Sequence, residues 1–115
     1  MSPKEIGLKE LNARLHSTTP PVLLEALPAK YYQDWHLPGA HHMPHDEARA
    51  LAATLVPDKR TPIVVYCASA TCRNSHIAAS VLAQLGYEHV EVFTGGKQAW
   101  SEAGLPVERA VEQLA

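Results

Sequence analysis

Two cysteines and an arginine stand close together in this 115-residue chain: Cys67, Cys72 and Arg73. A thiolate sulfur is a strong nucleophile, and a nearby cation stabilises the thiolate over the thiol. Two cysteines are too few to form a disulfide framework. A structural zinc site takes four ligands, whereas Cys67, Cys72 and His76 supply three, so we expect no metal here. The segment therefore indicates thiol chemistry.

Cys67 stands where a strand is predicted to end and a helix follows shortly after. The apolar, β-branched run Ile63–Tyr66 predicts a buried central strand. Apolar residues at helical spacing predict a helix from Asn74 to Leu85. Ligands of open parallel sheets bind at this carboxyl edge, so Cys67 is a candidate functional residue. The alternative interpretation is a buried structural cysteine.

The residues between this strand and this helix have short side chains, so we expect their backbone N–H groups to turn inward around the Cys67 sulfur. These groups, the helix N-terminus and Arg73 all favour an anion. The sequence therefore predicts a lowered Cys67 pKa and a thiolate at neutral pH. We expect Cys67 to be catalytic and the substrate to be bound by the loop residues Ala68, Ser69, Ala70, Thr71, Cys72 and Arg73.

The two ends of the chain give weaker patterns. Ser2 can cap a helix and Pro3 suits its first position, which predicts an N-terminal helix over about 2–16. Residues 107–115 predict one last weak helix. Residues 28–45 are rich in proline and are predicted to be irregular.

Strands and helices alternate between these regions. A short apolar run predicts a strand at 22–24, and another strand is predicted at 90–93. Asp46 is predicted to cap a helix with apolar residues at the 3.6-residue period. A glycine pair at 95–96 is predicted to turn the last strand into a short helix. This alternation indicates a parallel sheet that is covered by helices on both faces.

The loop and its flanking segments resemble a known family. The stretch 64–67 (VVYC), followed by Arg73 and a helix, resembles the active-site segment of rhodanese-like domains. Three further segments resemble signatures of that family: 36–40 (HLPGA), 93–100 (FTGGKQAW) and 103–107 (AGLPV). The resemblance covers about residues 20–107 and implies a single rhodanese-like domain over 1–115. It implies a three-layer α/β/α fold with a mainly parallel sheet of about five strands.

The resemblance also implies an activity, that of a single-domain sulfurtransferase. Cys67 is then expected to take a sulfane sulfur from a small anionic donor such as thiosulfate and to carry it as a persulfide. A thiophilic acceptor, cyanide or a thiol, takes the sulfur away, and a sulfur-accepting protein is a further candidate partner. No cofactor is expected beyond the transferred sulfur.

The loop departs from the common family pattern. That pattern is Cys-x-x-Gly-x-Arg, whereas Arg73 lies six positions after Cys67 and the loop has no glycine. A Cys-x5-Arg loop is typical of rhodanese-fold phosphatases and arsenate reductases. Phosphate-ester hydrolysis usually needs a general acid, and no Asp or Glu lies between these two residues. Sulfur transfer is therefore favoured, with oxyanion chemistry or a non-enzymatic sulfur-carrier or binding module as alternatives.

One other departure from the family pattern and the second cysteine concern the predicted site. The family's Asp-x-Arg after the first strand is replaced by 25–27 (EAL), and we assign no role to Glu25. Cys72 is a candidate resolving thiol that traps oxidised Cys67 as a disulfide. The equally weighted alternative is that Cys72 is a small residue that only packs at the start of the helix.

Composition limits the remaining function classes. Ten Lys and Arg against twelve Asp and Glu give a net charge of −2, which argues against nucleic-acid binding. No apolar run approaches the roughly 20 residues of a membrane span. The mixed charges near the N-terminus do not resemble a signal peptide, so a cytoplasmic location is expected. His41, His42 and His45 are expected to be solvated loop residues.

Overall fold

The computed structural model describes residues 4–109. Its five strands are β1 (Lys4–Ile6), β2 (Val22–Glu25), β3 (His41–His42), β4 (Ile63–Tyr66) and β5 (Val90–Phe93). All neighbouring strands are parallel, in the order β1-β5-β4-β2-β3. The helices are α1 (Leu8–Leu15), α2 (Ala29–Asp34), α3 (Ala48–Leu55), α4 (Asn74–Gln84) and α5 (Gly96–Glu102), with a 3-10 turn at His45–Glu47.

The central strand β4 shows why the domain has three layers. All four of its residues are buried, and successive side chains point to opposite faces of the sheet. Ile63 and Val65 belong to a core shared with α3 and α4. Val64 and Tyr66 belong to a second core, which contains Leu11 of α1 and Trp100 of α5. The predicted three-layer α/β/α fold with about five parallel strands is confirmed.

The predicted N-terminal helix over 2–16 is wrong in its first part. Residues 4–6 form the edge strand β1, which pairs with β5 and places Ile6 beside Phe93. Gly7 then adopts an extended conformation and α1 begins at Leu8. Backbone pairing with β5 and burial of Ile6 outweigh the helical preference of Lys4 and Glu5. The proposed caps at positions 2 and 3 lie outside the described residues.

Other boundaries also differ from the prediction. The region 28–45, predicted to be irregular, contains α2 and β3. Both elements are too short to give a periodic signal in the sequence, and no residue of α2 is buried. Asp46 does not cap α3, because the 3-10 turn that contains it leads directly into the helix. Strand β2 extends one residue further than predicted, to Glu25.

The C-terminal residues Val107 to Arg109 are not helical. Glu108 instead pairs with His36 in an antiparallel bridge, whose two backbone N–H···O=C hydrogen bonds measure 2.8 and 2.9 Å. The predicted last helix therefore does not begin at 107, and its remainder, 110–115, lies outside the described residues. None of the helices between Lys4 and Arg109 has the length and apolar character needed to cross a membrane.

The elements around the predicted site are confirmed. Strands β4 and β5 have the predicted bounds, and α4 begins at Asn74 as predicted and ends one residue early, at Gln84. The glycine pair leads from β5 into α5, also as predicted. The segment 67–73 therefore connects the end of the central strand to the start of an 11-residue helix.

Candidate active site around Cys67

The Cys67 sulfur is buried at the carboxyl end of β4. The residue is 1% exposed, and its Sγ lies 3.4 Å from the Ser75 hydroxyl oxygen in the first turn of α4. The thiol also donates toward the Cys72 carbonyl oxygen at 3.3 Å, with the Ser69 carbonyl oxygen at 4.0 Å. The sulfur is thus held between two loop carbonyls and the start of a helix.

The predicted low pKa of Cys67 is wrong. Burial raises the pKa of this thiol above its ordinary value, and the neighbouring Cys72 side chain raises it further, whereas the hydroxyl and N–H of Ser75 lower it. The loop does not direct all its amides at the sulfur, because the Cys72 N–H instead donates to the Ser69 carbonyl at 3.1 Å. Carbonyl oxygens near a sulfur favour the protonated thiol.

The structure brings some of the predicted loop residues around Cys67 and leaves others outside. Cys72, Ala68 and Ser69 are partly buried, whereas Ala70, Thr71 and Arg73 are exposed. The Ser69 hydroxyl lies 3.1 Å from the hydroxyl of Thr71 and not against the cysteine sulfur. Binding of a substrate by 68–73 stays a prediction.

Arg73 is the N-cap of α4 and is the one cation of the loop. Within residues 4–109 its side chain forms no ion pair or hydrogen bond, so its guanidinium is available to an incoming anion. This arrangement agrees with the predicted role of Arg73 but does not by itself establish that role.

The loop is attached to α5 through its backbone. The Lys97 N–H donates to the Cys67 carbonyl at 2.9 Å, and the Gln98 N–H donates to the Ala68 carbonyl at 2.8 Å. Gly96 makes this approach feasible, because a Cβ at that position would lie 2.4 Å from the Cys67 carbonyl oxygen. Its φ of +60° is also a value that side chains with a Cβ disfavour. The glycine pair therefore holds the loop that carries the cysteine.

A buried ion pair beside this attachment was missed at the sequence level. Glu25, at the end of β2, is fully buried, and its Oε1 lies 3.1 Å from the Lys97 Nζ. The same oxygen accepts a 2.8 Å hydrogen bond from the Tyr66 hydroxyl. The sequence carried one signal for this pair. Glu25 stands where the family pattern has an aspartate, but the arginine of that pattern is absent, so a buried Glu25 needs a cation from another part of the chain.

Lys97 supplies that cation from α5 and is itself held in place. Its Nζ donates to the Tyr31 carbonyl at 2.6 Å and lies 4.8 Å from the centre of the Trp35 ring. Burial raises the pKa of Glu25 and lowers the pKa of Lys97, and their mutual attraction opposes both shifts. The second carboxylate oxygen of Glu25 has no hydrogen-bond partner among the described residues.

The histidines have structural contacts. His36 is buried, its Nδ1 lies 2.9 Å from the Tyr32 carbonyl oxygen, and its ring stacks on the Tyr32 ring with the ring centres 3.8 Å apart. His42 is not solvated as expected, because its Nε2 lies 2.7 Å from the Leu27 carbonyl oxygen. Within the described range, no three His, Cys, Asp or Glu side chains converge as a metal-ligand set.

The fold is an open parallel α/β sheet, and Cys67 follows its central strand. The cysteine therefore lies at the carboxyl edge, where such sheets bind ligands. The family description "Rhodanese-like domain" matches residues 7–103. The chain belongs to the rhodanese-like domain family.

Comparison with individual proteins agrees with this assignment. Thiosulfate sulfurtransferase PspE of Escherichia coli (strain K12) is 42% identical over 60 residues, which cover 52% of this chain and 56% of that protein. Thiosulfate sulfurtransferase GlpE of Actinobacillus succinogenes is 32% identical over 89 residues, covering 77% of each. The solved structure described as rhodanese with anions from E. coli has a TM-score of 0.66 at 31% identity and covers 78% of this chain and 99% of that one. The chain thus spans about half the length of PspE.

Replacement of Gly96 by alanine is expected to destabilise the domain. Gly104 is the matched control, since it also has a positive φ (+71°), but a Cβ there would meet no atom of the described residues within 4 Å. Gly104→Ala should lose about 1–2 kcal/mol from backbone strain alone. Gly96→Ala should lose clearly more, because its Cβ meets the Cys67 carbonyl. Equal losses in urea unfolding would contradict a close approach at Gly96.

The ionisation of Cys67 is expected to depend on Ser75. Because the thiolate is the reactive form, the rate of Cys67 alkylation by iodoacetamide should rise with pH and reach its midpoint above that of N-acetylcysteine. Ser75→Ala should move the midpoint to still higher pH, because it removes a hydroxyl that stabilises the thiolate. Ser80→Ala, an exposed serine of the same helix, is the control. Alkylation is followed at Cys67 by fragment-ion mass spectrometry, and an unchanged midpoint in Ser75→Ala would exclude this role.

Proposed function

We propose that the protein is a sulfurtransferase that moves a sulfane sulfur from a donor such as thiosulfate to a thiophilic acceptor through a Cys67 persulfide. The observation that carries this proposal is the position of the Cys67 sulfur, buried at the end of β4 and 3.4 Å from the hydroxyl of Ser75 in the first turn of α4. Two relatives named thiosulfate sulfurtransferases support it.

The first half of the reaction is a nucleophilic displacement at sulfur. The Cys67 thiol loses its proton to solvent base, and its thiolate attacks the outer sulfur of thiosulfate. The S–S bond of the donor breaks, sulfite leaves with the electron pair, and Cys67 retains the outer sulfur as a persulfide. Sulfite is a good leaving group, so this step needs no general acid.

The persulfide anion is stabilised by groups that the loop and α4 supply. The hydroxyl and backbone N–H of Ser75 both favour the charged form of the cysteine sulfur, and the N-terminus of an 11-residue helix favours an anion next to it. Because Cys67 is buried, these dipoles act in a medium that screens them less than water does.

Arg73 is proposed to bind the anionic donor. Its guanidinium is exposed at the N-cap of α4 and has no ionic partner among residues 4–109. A planar guanidinium binds a thiosulfate oxygen pair through charge-assisted hydrogen bonds. The related solved structure is described as a rhodanese with anions, which supports anion binding in this family.

The second half of the reaction returns Cys67 to its starting form. Cyanide or a thiol attacks the outer sulfur of the persulfide, and the Cys67 thiolate leaves. A sulfur-accepting protein fits the same step when its thiol reaches the loop. The chemistry needs no cofactor, and two free thiols in one loop fit a reducing compartment, so the proposed location is the cytoplasm.

Oxyanion chemistry of the phosphatase or arsenate reductase type is the second candidate, because the Cys-x5-Arg loop has its length. The loop contains no Asp or Glu, and Glu25 near the sheet edge is buried against Lys97 and Tyr66, where it cannot protonate a leaving group outside. A binding module would not need a nucleophile, and Cys67 is present. Sulfur transfer is therefore favoured over oxyanion chemistry and over a binding module.

Cys67→Ser tests the nucleophile directly. The wild type should release sulfite from thiosulfate and form thiocyanate with cyanide, whereas Cys67→Ser should lose both activities by at least about a thousandfold. Thermal unfolding by circular dichroism verifies that the variant is folded. Undiminished thiocyanate formation by Cys67→Ser would overturn the proposal, and efficient hydrolysis of an alkyl phosphate by the wild type would favour the phosphatase alternative.

Arg73→Ala tests the recognition of charge. If Arg73 binds the dianionic donor, kcat/KM for thiosulfate should fall about 10- to 150-fold, as for loss of a hydrogen bond to a charged group. Arg73→Lys should recover part of the loss, because lysine keeps the charge but not the planar fork. Arg60→Ala removes a cation from the exposed turn before β4 and is the control. An equal loss with an uncharged organic polysulfide would show that Arg73 shapes the loop and does not bind the anion.

A further inference from the structure

The first turn of α5 is held in the fold by a charged side chain. The buried residues of this helix are Gly96, Lys97 and Trp100. Gly96 has no side chain to pack, and Trp100 lies a full turn later in the helix. Lysine is rarely buried in proteins unless its charge is paired. Because the Lys97 side chain is only 9% exposed, its contacts determine how the start of α5 is held.

The Lys97 ammonium group has three contacts at the carboxyl edge of the sheet. Its Nζ lies 3.1 Å from the Oε1 of Glu25, the last residue of β2. The same Nζ donates to the Tyr31 carbonyl in α2 at 2.6 Å. It also lies 4.8 Å from the centre of the Trp35 ring, which completes its surroundings with a cation–π contact. One side chain thus joins α5 to β2 and to α2.

The backbone of the same residue contacts the cysteine loop. The Lys97 N–H donates to the Cys67 carbonyl at 2.9 Å, and the N–H of Gln98 donates to the Ala68 carbonyl at 2.8 Å. A displacement of this helix turn would therefore lengthen both hydrogen bonds. The side chain of Lys97 and the loop that carries Cys67 are coupled through one residue.

We propose that Lys97, held by Glu25, is a positioning residue for sulfur transfer: its side chain fixes the first turn of α5, and two N–H groups of that turn fix the loop that carries Cys67. The effect on turnover rests on the proposed sulfurtransferase function. The effect on the loop does not, because it can be measured without any substrate.

The geometry of Glu25 gives this contact a fixed position. Its Oε1 accepts a 2.8 Å hydrogen bond from the Tyr66 hydroxyl, whereas its Oε2 has no hydrogen-bond partner among the described residues. The Tyr66 hydroxyl in turn accepts a 3.1 Å hydrogen bond from the Leu37 N–H. Tyr66 is the last residue of β4, directly before Cys67. Oε1 is therefore fixed relative to the strand that ends at the cysteine, and Lys97 carries that position to α5.

A pair that only neutralised buried charge would behave differently when both charges are removed. Loss of one partner leaves the other charge buried and unpaired, which destabilises a protein whatever else the pair does. Replacement of both partners by neutral residues of similar shape removes that cost. The double variant Glu25→Gln with Lys97→Met should therefore be more stable to urea than either single variant, although it lacks the ionic contact between α5 and β2.

Amide hydrogen exchange at positions 97 and 98, followed by NMR without substrate, reports the two hydrogen bonds to the loop. In the double variant we expect exchange at both positions to be at least about tenfold faster than in the wild type, through local opening. The control is Val56→Ala, which removes buried atoms from the core on the other face of the sheet. Its exchange at 97 and 98 should rise no more than its loss of global stability requires. Unchanged exchange in the double variant would overturn the proposal.

Single-turnover release of sulfite from thiosulfate tests the effect on the reaction. At saturating thiosulfate the rate should fall about 10- to 100-fold in the double variant, because a small misplacement of the reacting group slows the chemical step. The half-saturating thiosulfate concentration should stay within about twofold, since Arg73 and not Lys97 is proposed to bind the donor. Val56→Ala should keep the wild-type rate. An equal loss of rate in both variants would show that Lys97 and Glu25 contribute stability alone.

Tyr66→Phe provides a second test that keeps both charges. It removes one hydrogen bond to Oε1 of Glu25 and leaves the ion pair in place, so we expect it to fold even where the double variant does not. Exchange at 97 and 98 should be faster than in the wild type, and sulfite release slower, each by less than in the double variant. No change in either measurement would contradict a positioning role.

The two measurements separate failure of this inference from failure of the proposed function. Faster exchange with unchanged sulfite release overturns the positioning role and leaves the sulfurtransferase function intact. If the wild type releases no sulfite from thiosulfate, the proposed function is overturned and the positioning of a sulfur-transfer reaction with it. Exchange at 97 and 98 then still decides whether Lys97 holds the Cys67 loop.

Discussion

The site depends on two backbone hydrogen bonds that join the first turn of α5 to the Cys67 and Ala68 carbonyls. These bonds satisfy the carbonyls at the point where β4 ends, which buried backbone requires. They also fix the direction in which the chain leaves the sheet. Gly96 allows the contact because no side chain separates the two backbones. The loop that carries Cys67 is therefore positioned from two sides, by the central strand β4 and by α5.

Burial of the cysteine has opposite effects on two properties of the sulfur. It disfavours the thiolate and so raises the pKa of the thiol, and the neighbouring Cys72 side chain raises that pKa further. It also keeps water away from the position where a persulfide anion would form, beside the Ser75 hydroxyl. The same burial that disfavours ionisation would thus strengthen the hydrogen bonds to the charged intermediate of the proposed reaction. The Cys72 carbonyl oxygen lies 3.3 Å from the same sulfur.

The sequence was sufficient to predict the central part of the fold and the place of Cys67 at the end of β4, because both depend on local patterns. Ile63–Tyr66 is apolar on both faces, and α4 repeats apolar residues at helical spacing over 11 residues. The strand Lys4–Ile6 gave no such signal, since its stability comes from pairing with β5. The direction of the Cys67 pKa shift was not predictable either. It depends first on how deeply the fold buries the sulfur and then on which neighbouring groups face it, and neither is determined by a loop of mostly small residues.

The buried pair of Glu25 and Lys97 takes the place of the Asp-x-Arg pattern of the family. The arginine is absent after β2, and a lysine from α5 supplies the cation instead. The two residues are far apart in the sequence, and only the packing of α5 beside the end of β2 brings them within 3.1 Å. A buried carboxylate without its cation is costly, so the pair constrains where α5 begins. That helix start also donates the hydrogen bonds to the Cys67 loop. A continuous chain of contacts therefore links the acid on β2 to the Cys67 loop: Glu25 pairs with the Lys97 side chain, and the backbone N–H groups of Lys97 and Gln98 bind the carbonyls of Cys67 and Ala68.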